Sequence, residues 1–139
     1  MVLPGQPTTR RVAVAGLINP AGEILLVQTR RLPDMWQPVG GGIEEGESPN
    51  HAIVREIQEE LNATVDPSES VFNFQTSYDF GEGTVNFYTF TVSDTRVSDF
   101  SIDESEVLHA RWFTIEEALK LPCYPATAKY LQSYRAQAQ

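Results

Sequence analysis

GGGIEEGESPNHAIVREIQEELN, residues 40–62, joins a run of glycines to a dense group of acids. The stretch holds six acidic side chains, and Arg55 is the only cation among them. Glu56, Glu59 and Glu60 follow an i, i+3, i+4 spacing, which places them on one face of a helix. Like charges at this spacing destabilise a helix unless a cation lies among them. Because oxygen ligands suit Mg²⁺ or Mn²⁺, the spacing predicts a site for a metal and a phosphate.

The same stretch carries the signals of a helix over residues 49–61. Ser48 is suited to the N-cap and Pro49 to the first helical position. An apolar stripe at a spacing of four residues would hold this helix against a core, and it consists of Ile53, Ile57 and Leu61, with Ala52 alongside. The acids are therefore expected on a rigid element.

Two further features distinguish this stretch from an ordinary solvated acidic helix, which is the alternative interpretation of the three acids alone. A glycine-rich loop that leads into a helix N-terminus is a common anion site, and here it contains Gly40, Gly41, Gly42 and Gly46. The planar guanidinium of Arg55 is suited to holding one carboxylate in a fixed pose, with Glu47 or Glu59 as candidates.

Together these residues resemble the Nudix box of pyrophosphohydrolases. The pattern is a glycine, five residues, a glutamate, seven residues and then an Arg-Glu-aliphatic-x-Glu-Glu segment, matched here by Gly41, Glu47, Arg55, Glu56, Ile57, Glu59 and Glu60. Two positions depart, since Asn62 replaces a glycine and Ala63 replaces a larger aliphatic residue. Asn is the next-best residue for a left-handed helix C-cap, so the turn is expected to be kept.

The resemblance implies a fold, a reaction and a set of metal ligands. The fold is an α/β/α sandwich with a mixed sheet between helices, formed by residues 1–139 as a single domain. The reaction is Mg²⁺- or Mn²⁺-dependent hydrolysis of the pyrophosphate bond of a nucleoside diphosphate linked to a group X. By the same resemblance the metal ligands are Glu56, Glu59, Glu60 and the carbonyl of Gly40. The resemblance also implies that Glu47, Arg55 and Gly41 support these ligands and orient them.

The catalytic assignment by resemblance covers Glu56, Glu59, Arg55 and Glu106, and it leaves the general base open between two residues. Glu56 lies on the metal face and is expected to matter more for kcat. Glu106 lies in an acidic loop where some family members carry a functional Glu, and it is expected to contribute a metal contact or to assist as base once the loop closes.

Three residues upstream of the glycines are candidate substrate contacts. Arg30 and Arg31 end a predicted strand near the site, where they either hold phosphate or remain solvated. Trp36 either packs or lines the mouth of the site.

The remaining chain predicts alternating strands and two further helices. We expect strands over 8–18, 23–30, 71–80, 84–93 and 107–113, helices over 115–121 and 126–137, and loops over 31–47 and 94–106. Strict alternation would place Phe72, Phe74, Tyr78 and Phe80 on one face of their strand.

The composition of the chain limits which partners and which cellular compartment are expected for it. The chain has 139 residues and a net charge of −9, which argues against nucleic-acid binding because such binding needs a basic surface. It contains no apolar run of the roughly 18 residues that a membrane span requires, and no signal-peptide pattern. The lone Cys123 cannot form an internal disulfide, which indicates a reducing cytoplasm. The resemblance also allows a homodimer.

Two other functions compete with catalysis. One is a Nudix-like nucleotide-binding or regulatory domain that does not cleave its ligand, and the other is an acidic interaction module without metal dependence. The group X stays open among oxidised nucleoside triphosphates, dinucleoside polyphosphates, nucleotide sugars and ADP-ribose.

Overall fold

Six strands and three helices follow one another along the chain in the computed structural model, which describes residues 8–79, 81, 83–93 and 100–138. The strands are β1 (Thr8–Ile18), β2 (Ile24–Thr29), β3 (Val39–Gly42), β4 (Ser70–Asp79), β5 (Gly83–Val92) and β6 (Val107–Phe113). The helices are α1 (Pro49–Leu61), α2 (Ile115–Ala118) and α3 (Pro125–Ala138), and a short 3-10 helix spans Pro67–Glu69.

The strands form one mixed sheet in the order β4-β5-β1-β2-β6. The central β1–β5 pair is parallel, and the other pairs are antiparallel. One edge of β1 is shared by two partners, because Leu17 and Ile18 pair with β2 while Val12 to Ala15 pair with β3. Strands β1 and β2 therefore pair only at one end, and the glycines of β3 lie between the two strands where they separate.

A helical layer covers each face of the sheet, which makes the fold an α/β/α sandwich as predicted. The first core cluster joins α1 to the sheet through fully buried side chains such as Ala13, Leu17, Ile53, Ile57 and Leu61. The second joins α2 and α3 to the other face through Ile24, Leu26, Ala118, Tyr130 and Leu131. Within β1, Ala13, Ala15 and Leu17 belong to the first cluster and Ile18 to the second, so its side chains pack against both layers.

Helix α1 has the predicted bounds and both predicted caps. The Ser48 hydroxyl accepts a hydrogen bond from the backbone N–H of His51 at 3.2 Å. Asn62 adopts φ 51 and ψ 33, the left-handed conformation in which Asn is the usual substitute for Gly. Its N–H donates to the carbonyl of Gln58, so the departure from the Nudix pattern at this position preserves the turn.

Two element predictions were wrong. The expected loop over 31–47 contains β3, which pairs with β1 through its backbone and offers no alternating side chains as a signal. A Cβ at Gly40 would collide with the Ala13 carbonyl, so this close pairing requires glycine. Helix α2 has the predicted capping box of Thr114 and Glu117 but ends at Ala118, not at residue 121.

The expected aromatic face of β4 is interrupted by a bulge. The register shifts between Phe72, which pairs with Phe90, and Phe74, which pairs with Thr89. An inserted residue reverses the alternation, so Phe72 contacts Phe90 of the first cluster while Phe74 packs near Tyr130 in the second. The predictions for Phe80 and for loop residues 94–99 lie outside the described residues.

Membrane-spanning potential was searched over the described residues, and no helix there is long and apolar enough to cross a bilayer.

Candidate active site

Arg55 is the centre of a hydrogen-bond network at the start of the site. Its Nε and Nη2 donate to the two carboxylate oxygens of Glu47 at 2.8 and 2.9 Å, which is a bidentate pair. Its Nη1 donates to Glu56 Oε1 at 2.9 Å and to Glu59 Oε2 at 3.2 Å. Nη2 also donates to the carbonyl of Gly42 at 2.9 Å. The sequence left open whether Arg55 holds Glu47 or Glu59, and in the structure Arg55 binds both.

This network holds Glu47 and Arg55 in their charged forms. The Arg55 hydrogen bond lowers the pKa of Glu47 to about 2. The same bond raises the pKa of Arg55 above its ordinary value, so the guanidinium stays protonated throughout the working range of the protein. Arg55 thereby links β3 to α1 with a fixed charge.

Glu56 and Glu60 are buried carboxyl groups on the inner face of α1, at 8% and 5% exposure. Burial raises the pKa of Glu60 to about 9, and the neighbouring charge of Glu56 adds to this effect. Burial also raises the pKa of Glu56, although its bond to Arg55 acts in the opposite direction. The two carboxyl groups face each other. Because burial disfavours two adjacent negative charges, either a proton or a cation is needed to offset the charge on one of them.

The donor set suits a hard divalent cation. Glu60 Oε2 is buried and has no hydrogen-bond partner among the described residues, so one carboxylate oxygen is available as a ligand. No group of three His, Cys, Asp or Glu side chains within the described ranges is already arranged to hold a metal ion. The Glu59 carboxylate, 46% exposed, is bound by Arg55 and lines the same cleft as Glu56 and Glu60.

Gly41 lies directly against the buried acids. A Cβ at this position would stand 2.5 Å from Glu56 Oε1, so a side chain has no room there. Gly42, the next residue, would place its Cβ no closer than 3.8 Å to any atom, the nearest being Arg10 Nη2. Only one of the two glycines is thus required by the packing of the acids.

The loop that carries Glu106 is fastened to both α1 and β2. The N–H of Asp103 donates to the carbonyl of Glu60 at 2.9 Å, and the Asn62 side chain donates to the carbonyl of Ser101 at 3.0 Å. On the other side, the Arg30 N–H donates to the carbonyl of Glu106 at 2.9 Å. Glu106 consequently faces the cleft, and its charge contributes to raising the pKa of Glu56 and of Glu60.

These acids form one wall of a cleft of about 700 Å³. The cleft runs past the glycines of β3 to the α3-facing side of β1 and β5, and its cationic residues are Arg10, Arg30 and Arg31. Arg30 Nε is already bonded to the carbonyl of Glu104 at 2.7 Å, so its guanidinium fastens the loop as well as lining the cleft. Arg10 escaped sequence analysis because a lone Arg early in a strand carries no pattern.

Trp36, a candidate substrate contact, is placed in the second core cluster. Its ring packs edge-on against Phe113 with the centroids 5.0 Å apart, and the backbone N–H of Trp36 donates to the carbonyl of Pro122 at 2.9 Å. It is not among the residues that line the cleft. The structure therefore favours the packing alternative for Trp36.

The comparisons with known proteins agree with this architecture. A family model described as the NUDIX domain matches residues 7–134. A Bos taurus protein named diphosphoinositol polyphosphate phosphohydrolase 3-beta is 34% identical over 116 residues, which cover 81% of this chain and 69% of that protein. The chain belongs to the Nudix family and is a Nudix pyrophosphohydrolase.

Solved structures share the fold over nearly the whole chain. The solution structure of the Escherichia coli ORF135 protein aligns with a TM-score of 0.74 at 25% identity, covering 99% of this chain and 96% of that one. The MutT protein from Methanosarcina mazei Go1 aligns with a TM-score of 0.77 at 21% identity over 96% and 98%. A Caenorhabditis elegans Ap4A hydrolase aligns with 0.71 at 22% over 93% and 97%. Nudix hydrolases generally use divalent metal ions.

Proposed function

We propose that this protein hydrolyses the pyrophosphate bond of a nucleoside diphosphate linked to a group X, in a reaction that depends on Mg²⁺ or Mn²⁺. One observation carries the proposal, namely two buried, mutually facing carboxyl groups beside a cleft that also presents arginines. Glu60 and Glu56 supply hard oxygen ligands, while Arg10 and Arg31 supply positive charge for phosphate oxygens.

Within this proposal the metal ligands are Glu56, Glu59, Glu60 and the Gly40 carbonyl. Glu47 and Arg55 hold these carboxylates in place, and Gly41 gives them room. When bound, the metal stabilises negative charge that develops on the phosphoryl oxygens and acidifies the attacking water. Arg10 and Arg31 would orient the polyphosphate chain along the cleft.

We assign proton removal from the attacking water to Glu106 in place of Glu56, which the sequence favoured for kcat and which stays the competing candidate. Glu106 is exposed at the cleft surface and lies outside the set of proposed metal ligands. A carboxylate that binds a cation is a weaker base than a nearby one that does not. The choice is tested by kcat against pH for Glu106→Gln and Glu56→Gln. Loss of the acidic limb in Glu56→Gln alone would reverse the assignment.

Removal of metal and of single ligands tests the reaction. Hydrolysis should need millimolar Mg²⁺ or Mn²⁺ and stop in chelator, because the acids repel a polyphosphate unaided. Glu59→Gln and Glu60→Gln should each lower kcat by on the order of 10²-fold, as loss of one key electrostatic contact does. Glu116→Gln, which alters an exposed acid on α2 that lies outside the cleft, serves as the matched control. Full activity in chelator would reject the proposal.

A substrate panel identifies X. It should contain nucleoside triphosphates, oxidised nucleotides, dinucleoside polyphosphates, nucleotide sugars and ADP-ribose. The readout is chromatographic separation of the products, because nucleotide sugars and ADP-ribose release a mononucleotide and a sugar phosphate and no free phosphate or pyrophosphate. A diphosphoinositol polyphosphate belongs in the panel because the 34%-identical relatives carry that name. Nucleotide binding without any release of product would instead favour a non-catalytic binding domain.

The compartment and the oligomeric state complete the proposal. A single Cys123, half-buried, forms no internal disulfide and suits the reducing cytoplasm that we propose. A homodimer stays a prediction, to be measured by light scattering.

A further inference from the structure

Towards α3 the lining of the cleft changes from charged to largely apolar side chains. There its lining includes Val14, Pro38 and Phe87, together with Gln37 and Tyr124. These five residues also line a narrow recess of about 20 Å³ that continues beneath the cleft, and the recess has no charged side chain among its described lining residues. The space is about that of one water molecule, so it admits a single polar substituent and not a ring.

A buried hydroxyl without a partner lies in this recess. Thr89 is 1% exposed, and its Oγ1 makes no hydrogen bond with any described residue. A buried hydroxyl that lacks a partner is destabilising, so such a group calls for an explanation. A ligand atom that enters the recess would supply the missing bond.

Strand register relates this hydroxyl to the acidic end of the cleft. Val14 pairs with Gly40 on one side and with Thr89 on the other, so the three residues form one row across the sheet. Two strand spacings separate Gly40 from Thr89, which is about 10 Å. A phosphate at the glycines thus leaves room for a sugar before a group reaches Thr89.

The side chains around the recess are held in place. Gln37 exchanges backbone hydrogen bonds with Val27 at 2.8 and 3.0 Å, and its Nε2 donates to Thr29 Oγ1 at 3.3 Å. The Phe87 ring contacts Tyr78 edge-on at 5.8 Å between centroids. A preformed apolar site with few polar groups is the usual form of a small-molecule site.

We propose that this end of the cleft is a nucleobase subsite, in which a flat heterocycle lies against Phe87 and Tyr124 and its exocyclic oxygen or amino group enters the recess to bond Thr89. This inference rests on the proposed hydrolysis of a nucleotide and adds which residues select the base. A hydroxyl both donates and accepts, so Thr89 is able to bond either substituent.

The lining argues against a phosphorylated polyol as the occupant. Each ring phosphate would need a cation, and the residues at this end are Val14, Pro38, Phe87 and their neighbours. An aromatic face instead stabilises a stacked base whatever its ring substituents.

Removing one hydroxyl tests the subsite. Thr89→Val keeps the volume and should raise KM roughly tenfold for the best of GTP, ATP, CTP and UTP, because one hydrogen bond is lost. The change lies away from the acids, so kcat should stay within about twofold. Thr76→Val is the matched control, since Thr76 is also a buried hydroxyl without a partner but lines neither cleft nor recess. An unchanged KM in Thr89→Val, or an equal rise in Thr76→Val, would overturn the proposal.

Saturation-transfer NMR with each of GTP, ATP, CTP and UTP separates this inference from the proposed reaction, because it needs no cleavage. Saturation should pass more strongly from the protein to the base protons than to the ribose protons, and Thr89→Val should reduce it. If this holds while no substrate is cleaved, the subsite stands and the proposed reaction fails. If substrates are cleaved but the base protons receive no more saturation than the ribose protons, the subsite is wrong and the reaction stands.

Discussion

Glu60 shows how a single buried carboxyl group makes the stability of the fold depend on pH. Its pKa of about 9 arises from burial and from the charge of Glu56, while an ordinary Glu has 4.5. Without metal, the folded protein keeps a proton on Glu60 that the unfolded chain releases. The proton stabilises the fold fully below about pH 4.5, and this stabilisation is lost as pH rises through 9.

Glu60→Gln should therefore change the pH dependence of stability in chelator. At pH 5 its melting temperature should lie close to that of the wild type, and at pH 8.5 it should lie above it, because Gln carries no charge to bury. Glu59→Gln, with a half-exposed side chain one position earlier, is the control and should show no such divergence. A difference between Glu60→Gln and wild type that is constant across pH would contradict the assignment of burial as the cause.

Among single residues, those with a local pattern were predictable and those fixed by tertiary contacts were not. The acids and Arg55 were found because their spacing is a helical one. Arg10 has no such spacing, and it reaches the cleft only because β1 pairs with β5. The packing of Trp36 depends on Phe113, which lies 77 positions away in the chain and has no short-range relation to it.

At the scale of elements, α1 was predictable in full because its caps and its stripe agree. Ser48 and Asn62 mark its ends, and no tertiary contact overrides them. Strand β3 was missed since Val39-Gly40-Gly41-Gly42 has the composition of a loop, and only pairing with β1 makes it a strand. The bulge between Phe72 and Phe74 was equally invisible, because the alternation of aromatics continues through it.

Strand β3 yields a paired prediction. Gly41→Ala would place a methyl group against the Glu56 carboxylate and should lower kcat by on the order of 10²-fold, since small displacements of catalytic groups have effects of that size. Gly42→Ala has space, and its kcat should stay within roughly threefold of wild type. Steady-state kinetics with one good substrate compares them. Equal losses in both variants would show that β3 is sensitive to any side chain.

At the scale of the whole molecule, β1 lies between the two helical layers and its side chains contact both. Gly16 lies directly beneath the ring of Tyr130, which is 2% exposed and bonds Thr91 Oγ1 through its hydroxyl at 2.6 Å. Helix α3 can approach the sheet this closely only because Gly16 has no side chain.

Gly16→Ala should accordingly loosen α3 from the sheet. The added methyl group would overlap the Tyr130 ring, and overpacking of this kind costs about 1–3 kcal/mol of unfolding free energy. Tyr130 also lines the recess, so nucleotide KM should rise in the same variant. Urea denaturation measures the first effect, with Gly42→Ala as the control. An unchanged midpoint would mean that Tyr130 finds another position at no cost.

The parallel ladder between β1 and β5 has a consequence for how the chain reaches its fold. Its partners are about 75 positions apart, and the ladder lies at the centre of the sheet. Closing so long a loop precedes any gain from the contacts, which slows folding relative to local hairpins such as β4–β5. During synthesis β1 leaves the ribosome long before β5 exists, so the edge of β1 that pairs with β5 stays open meanwhile, whereas β2 and β3 are already available to its other edge. Until β5 has been synthesised, this unpaired central edge is exposed to association with other chains.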